Sequence, residues 1–181
     1  MEPIDSPEPP EPLWLFGYGS LIWRPGFAYA ERRRARVADH ARRFWQGSHD
    51  HRGVPGAPGR VVTLVPAPGS DCEGMAFRVE SQAAGATLAA LDLRERDGYE
   101  RARPTLHLED GRTVSGITWI AARDNVSWLG PAPTEEIVHQ LRTSEGPSGT
   151  NADYVLSLAA HLEELGIVDA HVAELARLVA S

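Results

Sequence analysis

The stretch FGYGSLIW, Phe16 to Trp23, places two glycines inside an otherwise apolar run. Glycine adds nothing to side-chain packing and costs backbone entropy, so Gly17 and Gly19 are unusual inside a strand. The segment LWLFG before them predicts a short strand that enters a tight glycine loop. Successive N–H groups of such a loop can point into one concavity and hold a carboxylate or a developing oxyanion. A turn that only twists two strands would explain the same glycines.

The segment Ser81–Arg96 has the spacing of a helix that ends before Asp97 and Gly98. One face of this helix carries Ala84, Leu88, Leu91 and Glu95. Glu95 therefore extends an apolar stripe, where desolvation raises the pKa of a carboxyl group toward the range useful for proton transfer. In the alternative interpretation the helix frays and Glu95 pairs with Arg101 or Arg103. Asp92 is offset from the stripe and is expected to face solvent.

The remaining segments predict an α+β fold. Strands are expected at 60–65 and 73–79, and a hairpin is expected around Asp110 and Gly111. Helices are expected over 134–146 and over 151–180, the latter broken at Gly166. The short strands and segregated helices leave too few parallel crossovers for a Rossmann-type sheet.

Composition predicts one soluble domain behind a disordered tail. The chain has 181 residues and a net charge of −7. Its first twelve residues contain five prolines and four acidic groups, which predicts a disordered tail over 1–12 and a single domain over 13–181. No apolar run approaches the roughly 18 residues that cross a bilayer.

The cysteine, histidine and arginine patterns argue against several other classes of site. Cys72 is the only cysteine, which fits a reducing cytoplasm, and its flanks predict a buried structural thiol. No Cys/His pair has zinc spacing, so neither a metal nor a cofactor is expected. Six arginines lie between Arg32 and Arg43, but no nucleic-acid module surrounds them. A solvated strand edge with one or two anion-binding arginines is the better interpretation. Ser20 has no readable histidine and acid partners for a nucleophilic triad.

Several motifs occur together in the order found in one family. They are FGYGSLIW, RRFWQGSHDHRGVPGAPGRVVTLV, RERDGY, LGPAP and GPSGTNADY. In these motifs the chain resembles the ChaC-type γ-glutamylcyclotransferases, from Trp14 to the last helix. The resemblance implies a mixed, barrel-like α+β fold of the γ-glutamylcyclotransferase type. It also implies a lyase reaction, in which glutathione is split into 5-oxoproline and cysteinylglycine.

The resemblance also implies roles for individual residues. The family's catalytic acid lies in the motif matched by RERDGY, which gives that role to Glu95. The Asn-x-x-Tyr element matches Asn151 and Tyr154, whose hydroxyl is expected to reach the same pocket. The substrate loop of the family matches Gly17, Tyr18, Gly19, Ser20, Leu21 and Ile22.

Two other functions stay open from the sequence. One is a cyclotransferase that acts on other γ-glutamyl amines or amino acids, and the other is a regulatory binding protein without catalysis. The sequence also leaves open the oligomeric state and which of Arg43, Gln46 and Arg52 faces the pocket, because alternate residues of a strand point to opposite faces.

Overall fold

The computed structural model of the protein describes residues 11–181, which form nine strands, four α-helices and one short 3-10 helix. The strands are β1 (Leu13–Gly17), β2 (Glu31–Ser48), β3 (Gly59–Val79), β4 (Tyr99–Ala102), β5 (Thr105–Leu108), β6 (Thr113–Ser115), β7 (Thr118–Ala121), β8 (Glu145–Gly146) and β9 (Gly149–Thr150). The helices are α1 (Ser81–Arg94), α2 (Thr134–Thr143), α3 (Asn151–Glu164) and α4 (Ala170–Ala180). This arrangement is the α+β class that the sequence predicts.

The main sheet is built around one long antiparallel pair, β2 and β3. Its five strands lie in the order β1-β3-β2-β5-β6, and every neighbouring pair in it is antiparallel. Two smaller ladders join β4 to β7 and β8 to β9. The prediction of a solvated edge for the arginine-rich segment is therefore wrong for β2, which lies inside the sheet.

The prediction of two separate strands at 60–65 and 73–79 is also wrong, because both belong to β3. The pairing of β2 with β3 changes from Ala38↔Asp71 to His40↔Pro66, so residues 67–70 leave the ladder opposite Asp39. Asp39 has a φ of 57°, and its carboxylate accepts a hydrogen bond from the Gly69 N–H at 2.8 Å. This bulge accommodates the Pro-Gly segment within one bent strand.

The core lies where the sheet meets the three C-terminal helices. Phe16, Phe44, Phe77 and Leu158 come from β1, β2, β3 and α3 and are fully buried. Cys72 belongs to the same core, and burial raises the pKa of its thiol to about 11. The thiol is therefore protonated near neutral pH, in agreement with the predicted structural role.

The predicted helices are confirmed, with shorter ends. Helix α1 ends at Arg94 rather than Arg96, so Glu95 is the first residue beyond it. Helix α2 ends at Thr143 rather than Gly146, because the chain then turns into the β8–β9 hairpin. The break between α3 and α4 is confirmed, with Gly166 at a φ of +68°. None of the helices in residues 11–181 is both long and apolar enough to cross a membrane.

The hairpin around Asp110 and Gly111 is confirmed as β5–β6, but its second strand is shorter than expected. The chain leaves the main sheet after Ser115 and pairs with β4 as β7. Ile117, between them, exchanges backbone hydrogen bonds with Trp14 and Phe16 of β1 at 2.9 Å. The ladders formed by residues 11–181 do not close into one continuous barrel. Most of the tail predicted for 1–12 lies outside the described residues.

Candidate active site

The glycine loop is shaped by a close approach to β3 and α3. A Cβ on Gly19 would lie 2.9 Å from the Val62 side chain and 3.0 Å from the Tyr154 hydroxyl. A Cβ on Gly17 would lie 2.7 Å from the Cβ of Leu21, in the 3-10 helix Ser20–Ile22. All three distances are below ordinary van der Waals contact, so a larger residue at either position would displace the loop or its neighbours.

Arg42 of β2 holds this loop against the sheet. Its side chain is 1% exposed, and its Nε donates to the Tyr18 carbonyl oxygen at 2.6 Å. The same guanidinium donates to the Asp169 carboxylate and to the Glu73 carbonyl oxygen, both at 2.5 Å. The Tyr18 hydroxyl donates to the Trp119 carbonyl oxygen at 2.6 Å. The loop is thus held by the sheet and by the start of α4.

A cavity of about 300 Å³ opens next to the loop, and a recess of about 40 Å³ adjoins it. Four residues line both spaces, namely Ser20, Glu95, Tyr99 and Tyr154. The volume is at the lower end of the range for small-molecule sites. The charged groups on the wall of the larger cavity are Arg24, Asp50, His51, Arg52, Arg94, Glu95 and Asp97.

Glu95 occupies the position that the apolar stripe predicts. Its side chain is 19% exposed, and its nearest charged partner is the Arg94 Nε at 3.7 Å. No hydrogen bond to the Glu95 carboxylate is found among residues 11–181. Burial raises the pKa of Glu95, and the charges of Arg94 and His51 oppose this shift only in part. The Glu95 carboxylate is therefore a desolvated group that faces the cavity.

The predicted alternative pairing of Glu95 does not occur, because Arg101 pairs with Asp92 instead. The Asp92 side chain is 45% exposed, which confirms that it faces solvent. Its hydrogen bonds from Arg101 and Trp119 hold the pKa of the Asp92 carboxyl below its usual range. Two carboxylates three residues apart thus have different surroundings, one in solvent and one in the cavity.

The turn after Glu95 is clamped by polar side chains. Asp97 accepts hydrogen bonds from the Ser127 hydroxyl at 2.5 Å and from the His49 N–H at 2.8 Å. Burial acts to raise the pKa of Asp97, but these bonds outweigh it and hold that pKa below its usual value. The buried Gln46 amide donates to the Asp97 carbonyl oxygen at 2.8 Å. The clamp limits the directions in which Glu95 can point.

The start of α3 carries Tyr154 to the cavity. The fully buried Asn151 amide accepts from the Arg60 N–H at 2.7 Å and donates to the Arg60 carbonyl oxygen at 2.8 Å. These two bonds attach α3 to β3. The Tyr154 hydroxyl then lies 3.4 Å from the Val62 N–H, which donates to it, while Asn151 lines neither the cavity nor the recess.

The structure therefore separates the predicted loop residues into two groups. Ser20 lines both spaces, and Tyr18, Gly19 and Leu21 line only the recess. Gly17 and Ile22 are buried beneath them and line neither space. The Ser20 hydroxyl accepts a hydrogen bond from Arg94 at 2.9 Å, and no histidine nitrogen of residues 11–181 is within hydrogen-bonding distance of it. Within the described residues, Ser20 thus has no histidine base beside it.

The sequence leaves open which of Arg43, Gln46 and Arg52 faces the pocket. Of these three side chains, only that of Arg52 lines the cavity. The Gln46 side chain is fully buried and bonds Asn125 as well as Asp97. Arg43 is half-buried, and its guanidinium donates to the Arg42 carbonyl oxygen at 2.7 Å. The structure thus answers the question that strand alternation alone leaves open.

The comparison with protein families fits this geometry. A family model described as ChaC-like protein matches residues 13–181. The chain belongs to the ChaC-like family. The matched residues run from β1 to the C-terminal residue, so they contain the glycine loop, Glu95 and the start of α3.

Relatives of this ChaC-like chain include two curated proteins and one solved structure. The glutathione-specific gamma-glutamylcyclotransferase 1 of Homo sapiens is 39% identical over 161 residues, which cover 87% of this chain and 72% of the human protein. The gamma-glutamylcyclotransferase 2-3 of Arabidopsis thaliana is 39% identical over 176 residues, with 92% and 88% covered. A crystal structure of the gamma-glutamyl cyclotransferase specific to glutathione from yeast has a TM-score of 0.87 at 28% identity, covering 93% of this chain and 96% of that one. The fold is therefore of the γ-glutamylcyclotransferase type.

Sequence reasoning missed several charged residues of the ChaC-like cavity. Arg24 follows the glycine loop directly, and Asp50 and His51 lie just after β2. Charged residues in a loop at the end of a long strand are a signal for binding residues, because such loops line the open end of a sheet. The segment HDHRG carries this signal.

Proposed function

We propose that the protein degrades glutathione by intramolecular cyclisation of its γ-glutamyl group, releasing 5-oxoproline and cysteinylglycine. The observation that carries this proposal is the Glu95 carboxylate, which faces the cavity without a hydrogen bond and has a raised pKa. The names of the human and yeast relatives support glutathione as the substrate.

The proposed reaction needs no nucleophile from the protein. The α-amine of the substrate attacks its own γ-carbonyl carbon, the new C–N bond closes the lactam ring, and the peptide C–N bond breaks. Atoms balance as follows. The ammonium loses two protons in becoming the lactam N–H: one goes to the departing nitrogen, and the other is released to solvent, from which the free product amine takes up a proton to become an ammonium. The cavity has to hold the substrate in the attacking conformer, so that the entropy lost in fixing this conformer is paid on binding rather than in the chemical step. The protonated thiol of Cys72 is consistent with this scheme.

Glu95 is proposed to move the proton. As a carboxylate it accepts a proton from the α-ammonium, and as the acid it returns that proton to the departing nitrogen. Its raised pKa suits both steps, since an ordinary glutamate would be a weaker base and would rarely be protonated near neutral pH. The backbone N–H groups of the glycine loop are proposed to bind the α-carboxylate of the substrate or to stabilise the oxyanion on its γ-carbon.

The other predicted residues take two kinds of role in this proposal. Those that line the recess or the cavity would contact substrate: Tyr18, Gly19, Ser20, Leu21 and Tyr154. Gly17, Ile22 and Asn151 would position them, because Gly17 and Ile22 lie under the loop and Asn151 attaches α3 to β3.

The domain organisation of the chain, its location in the cell and its class of partner can be proposed as well. We propose that residues 13–181 act as one barrel-like domain, which one continuous core cluster and the hydrogen bonds of Ile117 to β1 support. A cytoplasmic location is supported by the free thiol of Cys72. A small molecule is the proposed partner rather than a nucleic acid, since Arg34 and Arg36 are paired with carboxylates.

The test is product analysis with the wild-type protein, the Glu95→Gln variant and a matched Glu100→Gln variant, whose side chain is exposed on β4. Each protein is incubated with glutathione, γ-glutamylcysteine and free γ-glutamyl amino acids. We expect 5-oxoproline and cysteinylglycine from glutathione, a loss of about 100-fold or more in Glu95→Gln, and no change in Glu100→Gln.

The other outcomes distinguish the alternatives. Turnover of other γ-glutamyl compounds in place of glutathione would favour the broader cyclotransferase. Binding of glutathione without any product from the wild-type protein would favour a regulatory binding protein. Full activity of a folded Glu95→Gln variant would overturn the proposed role of Glu95.

A further inference from the structure

Two arginines, Arg24 and Arg52, face the cavity without a carboxylate partner in residues 11–181. Arg52 is 7% exposed, and among residues 11–181 no carboxylate oxygen lies within 4.0 Å of its guanidinium. Its side chain donates one hydrogen bond, to the Thr150 carbonyl oxygen at 3.1 Å, and its Cζ lies 5.5 Å from the centre of the Tyr154 ring. Arg24 lines the same cavity from its exposed side.

The remaining donors of Arg52 are open to the cavity. A guanidinium has five N–H donors and stays charged, and no Arg52 nitrogen is both buried and unpartnered, so the donors that do not bond Thr150 are available to a ligand. Burial lowers the pKa of Arg52, and the nearby positive charge of Arg24 lowers it further, while Tyr154 and Asp153 oppose the shift. Arg52 and Arg24 together therefore favour an anion between them, and a carboxylate matches the planar fork of an arginine.

Arg52 and Glu95 both lie near Tyr154, but they do not form an ion pair with each other within 4.0 Å. The Tyr154 hydroxyl lies at the recess, beside Val62 and Gly19, whereas the Arg52 guanidinium lies over the ring and against Thr150 of the β8–β9 hairpin. Burial is the main cause that raises the pKa of Tyr154. The charge of Glu95 raises this pKa further, whereas the charge of Arg52 lowers it. Both charges thus act on this phenol from the same cavity.

The proposed orientation of the substrate decides which of its carboxylates is assigned to Arg52. In the proposed reaction the α-amine must lie at Glu95, and the α-carboxylate is attached to the same carbon as that amine. We assign the α-carboxylate to Arg94 and the glycine loop, because the Arg94 Nε lies 3.7 Å from the Glu95 carboxylate and the same guanidinium donates a hydrogen bond to Ser20. Arg52, in contrast, forms no ion pair with Glu95. The only other carboxylate of glutathione is at its glycine end.

We propose that Arg52, with Arg24 at the cavity entrance, binds the C-terminal carboxylate of the tripeptide and selects glutathione over shorter γ-glutamyl compounds. This inference rests on the proposed function for the orientation of the substrate. γ-Glutamylcysteine also has a terminal carboxylate, but it ends one residue earlier, about 3.5 Å short of this position. A γ-glutamyl amine has no such group.

The test compares glutathione with its glycine monoethyl ester, in which only the terminal carboxylate is blocked. The kcat/KM for release of 5-oxoproline is measured for wild type, Arg52→Met, Arg52→Lys and the matched control Arg43→Met, whose side chain lies outside the cavity. We expect wild type and Arg43→Met to prefer glutathione over the ester by about 100-fold, as for a buried charged pair.

We expect Arg52→Met to lose most of that preference, because kcat/KM falls for glutathione and stays the same for the ester. Arg52→Lys should retain part of it, since lysine keeps the charge without the fork. An equal fall for both substrates in Arg52→Met would overturn the proposal, because Arg52 would then bind the shared part of the substrate or act through the fold. A wild-type protein that uses both substrates equally would also overturn it, without any need for a variant.

A calorimetric titration separates this inference from the proposed function. If wild type forms no product, the binding of glutathione and its ester is compared in wild type and Arg52→Met. A preference for glutathione that is lost in Arg52→Met would support the carboxylate subsite while rejecting the cyclisation. Equal binding of both ligands to wild type would reject the subsite.

Discussion

The two ends of the long β2–β3 pair differ in whether their arginines are paired with carboxylates. At the outer end, Arg34 pairs with Glu73 and Arg36 with Asp71, each at 2.7 Å and each well exposed. At the inner end, where the strands meet the cavity, Arg52 has no carboxylate partner in the described part of the chain. The outer end neutralises its charges within the protein, and the inner end leaves charge for a ligand. Lack of a carboxylate partner does not mark the site by itself, since the buried Arg60 also lacks one among residues 11–181 and lies outside the cavity, where it donates to three neutral oxygens.

The same contrast holds between two buried arginines. Arg42 uses its guanidinium on Asp169, the Tyr18 carbonyl oxygen and the Glu73 carbonyl oxygen. Arg52 is almost as buried, yet its described hydrogen bond is to one neutral carbonyl oxygen, of Thr150. We infer that burial of Arg42 serves the fold and that burial of Arg52 serves recognition.

The largest expected effect comes from Arg42→Met. The substitution leaves Asp169 without its buried partner and two carbonyl oxygens without donors, so the free energy of unfolding should fall by about 3–5 kcal/mol. The matched Arg52→Met should change it by no more than about 1 kcal/mol, because its guanidinium makes one hydrogen bond to a neutral carbonyl oxygen and its other nitrogens are open to the cavity. Urea unfolding followed by circular dichroism measures both. Equal losses in the two variants would remove the distinction between these arginines.

The next effect is a pH dependence at His171. The Phe44 N–H donates to its Nε2 at 3.1 Å, which requires an unprotonated nitrogen, and burial is the main cause that lowers the pKa of His171 to about 4. An unfolded histidine titrates near 6.5, so the unfolded chain binds the proton first and stability falls as the pH drops from about 6.5 to about 4. The full difference corresponds to about 3 kcal/mol.

The variant His171→Gln should remove this part of the acid sensitivity, because an amide oxygen accepts the same hydrogen bond and does not titrate. Urea unfolding of both proteins at pH 7 and at pH 4.5 gives the difference directly. A loss of stability on acidification that is the same in wild type and His171→Gln would assign the acid sensitivity to other groups.

The elements with strong local signals could be predicted from the sequence. The glycine break at Gly166 and the hairpin at Gly111 are confirmed, since both need a positive φ that glycine adopts freely. The inward direction of Glu95 also has a local cause, because helical spacing places it on the apolar stripe of α1. The hydroxyl of Tyr154 and the loop residue Gly19 come together as the family motifs imply.

The rest depends on contacts between distant parts of the chain. Strand β3 continues through its Pro-Gly segment because Asp39, about thirty residues earlier, holds Gly69 in a bulge. Arg42 is buried because Asp169 lies 127 residues later in sequence and next to it in space. Arg24 and Arg52 could not be assigned to one cavity, because neither local spacing nor charge count shows which arginines find partners.

The smallest expected effect is that of Asp71→Asn at the outer end of the strand pair. Asp71 and Arg36 are each 44% exposed, so solvent screens their attraction and the ordering of two side chains offsets much of it. The free energy of unfolding should change by no more than about 1 kcal/mol, and less at high salt. The same substitution at Asp169, whose side chain is 15% exposed against the buried Arg42, should cost several times more. Urea unfolding of both variants measures this ratio, and a ratio near one would mean that burial does not distinguish the paired charges of the sheet from those beneath the glycine loop.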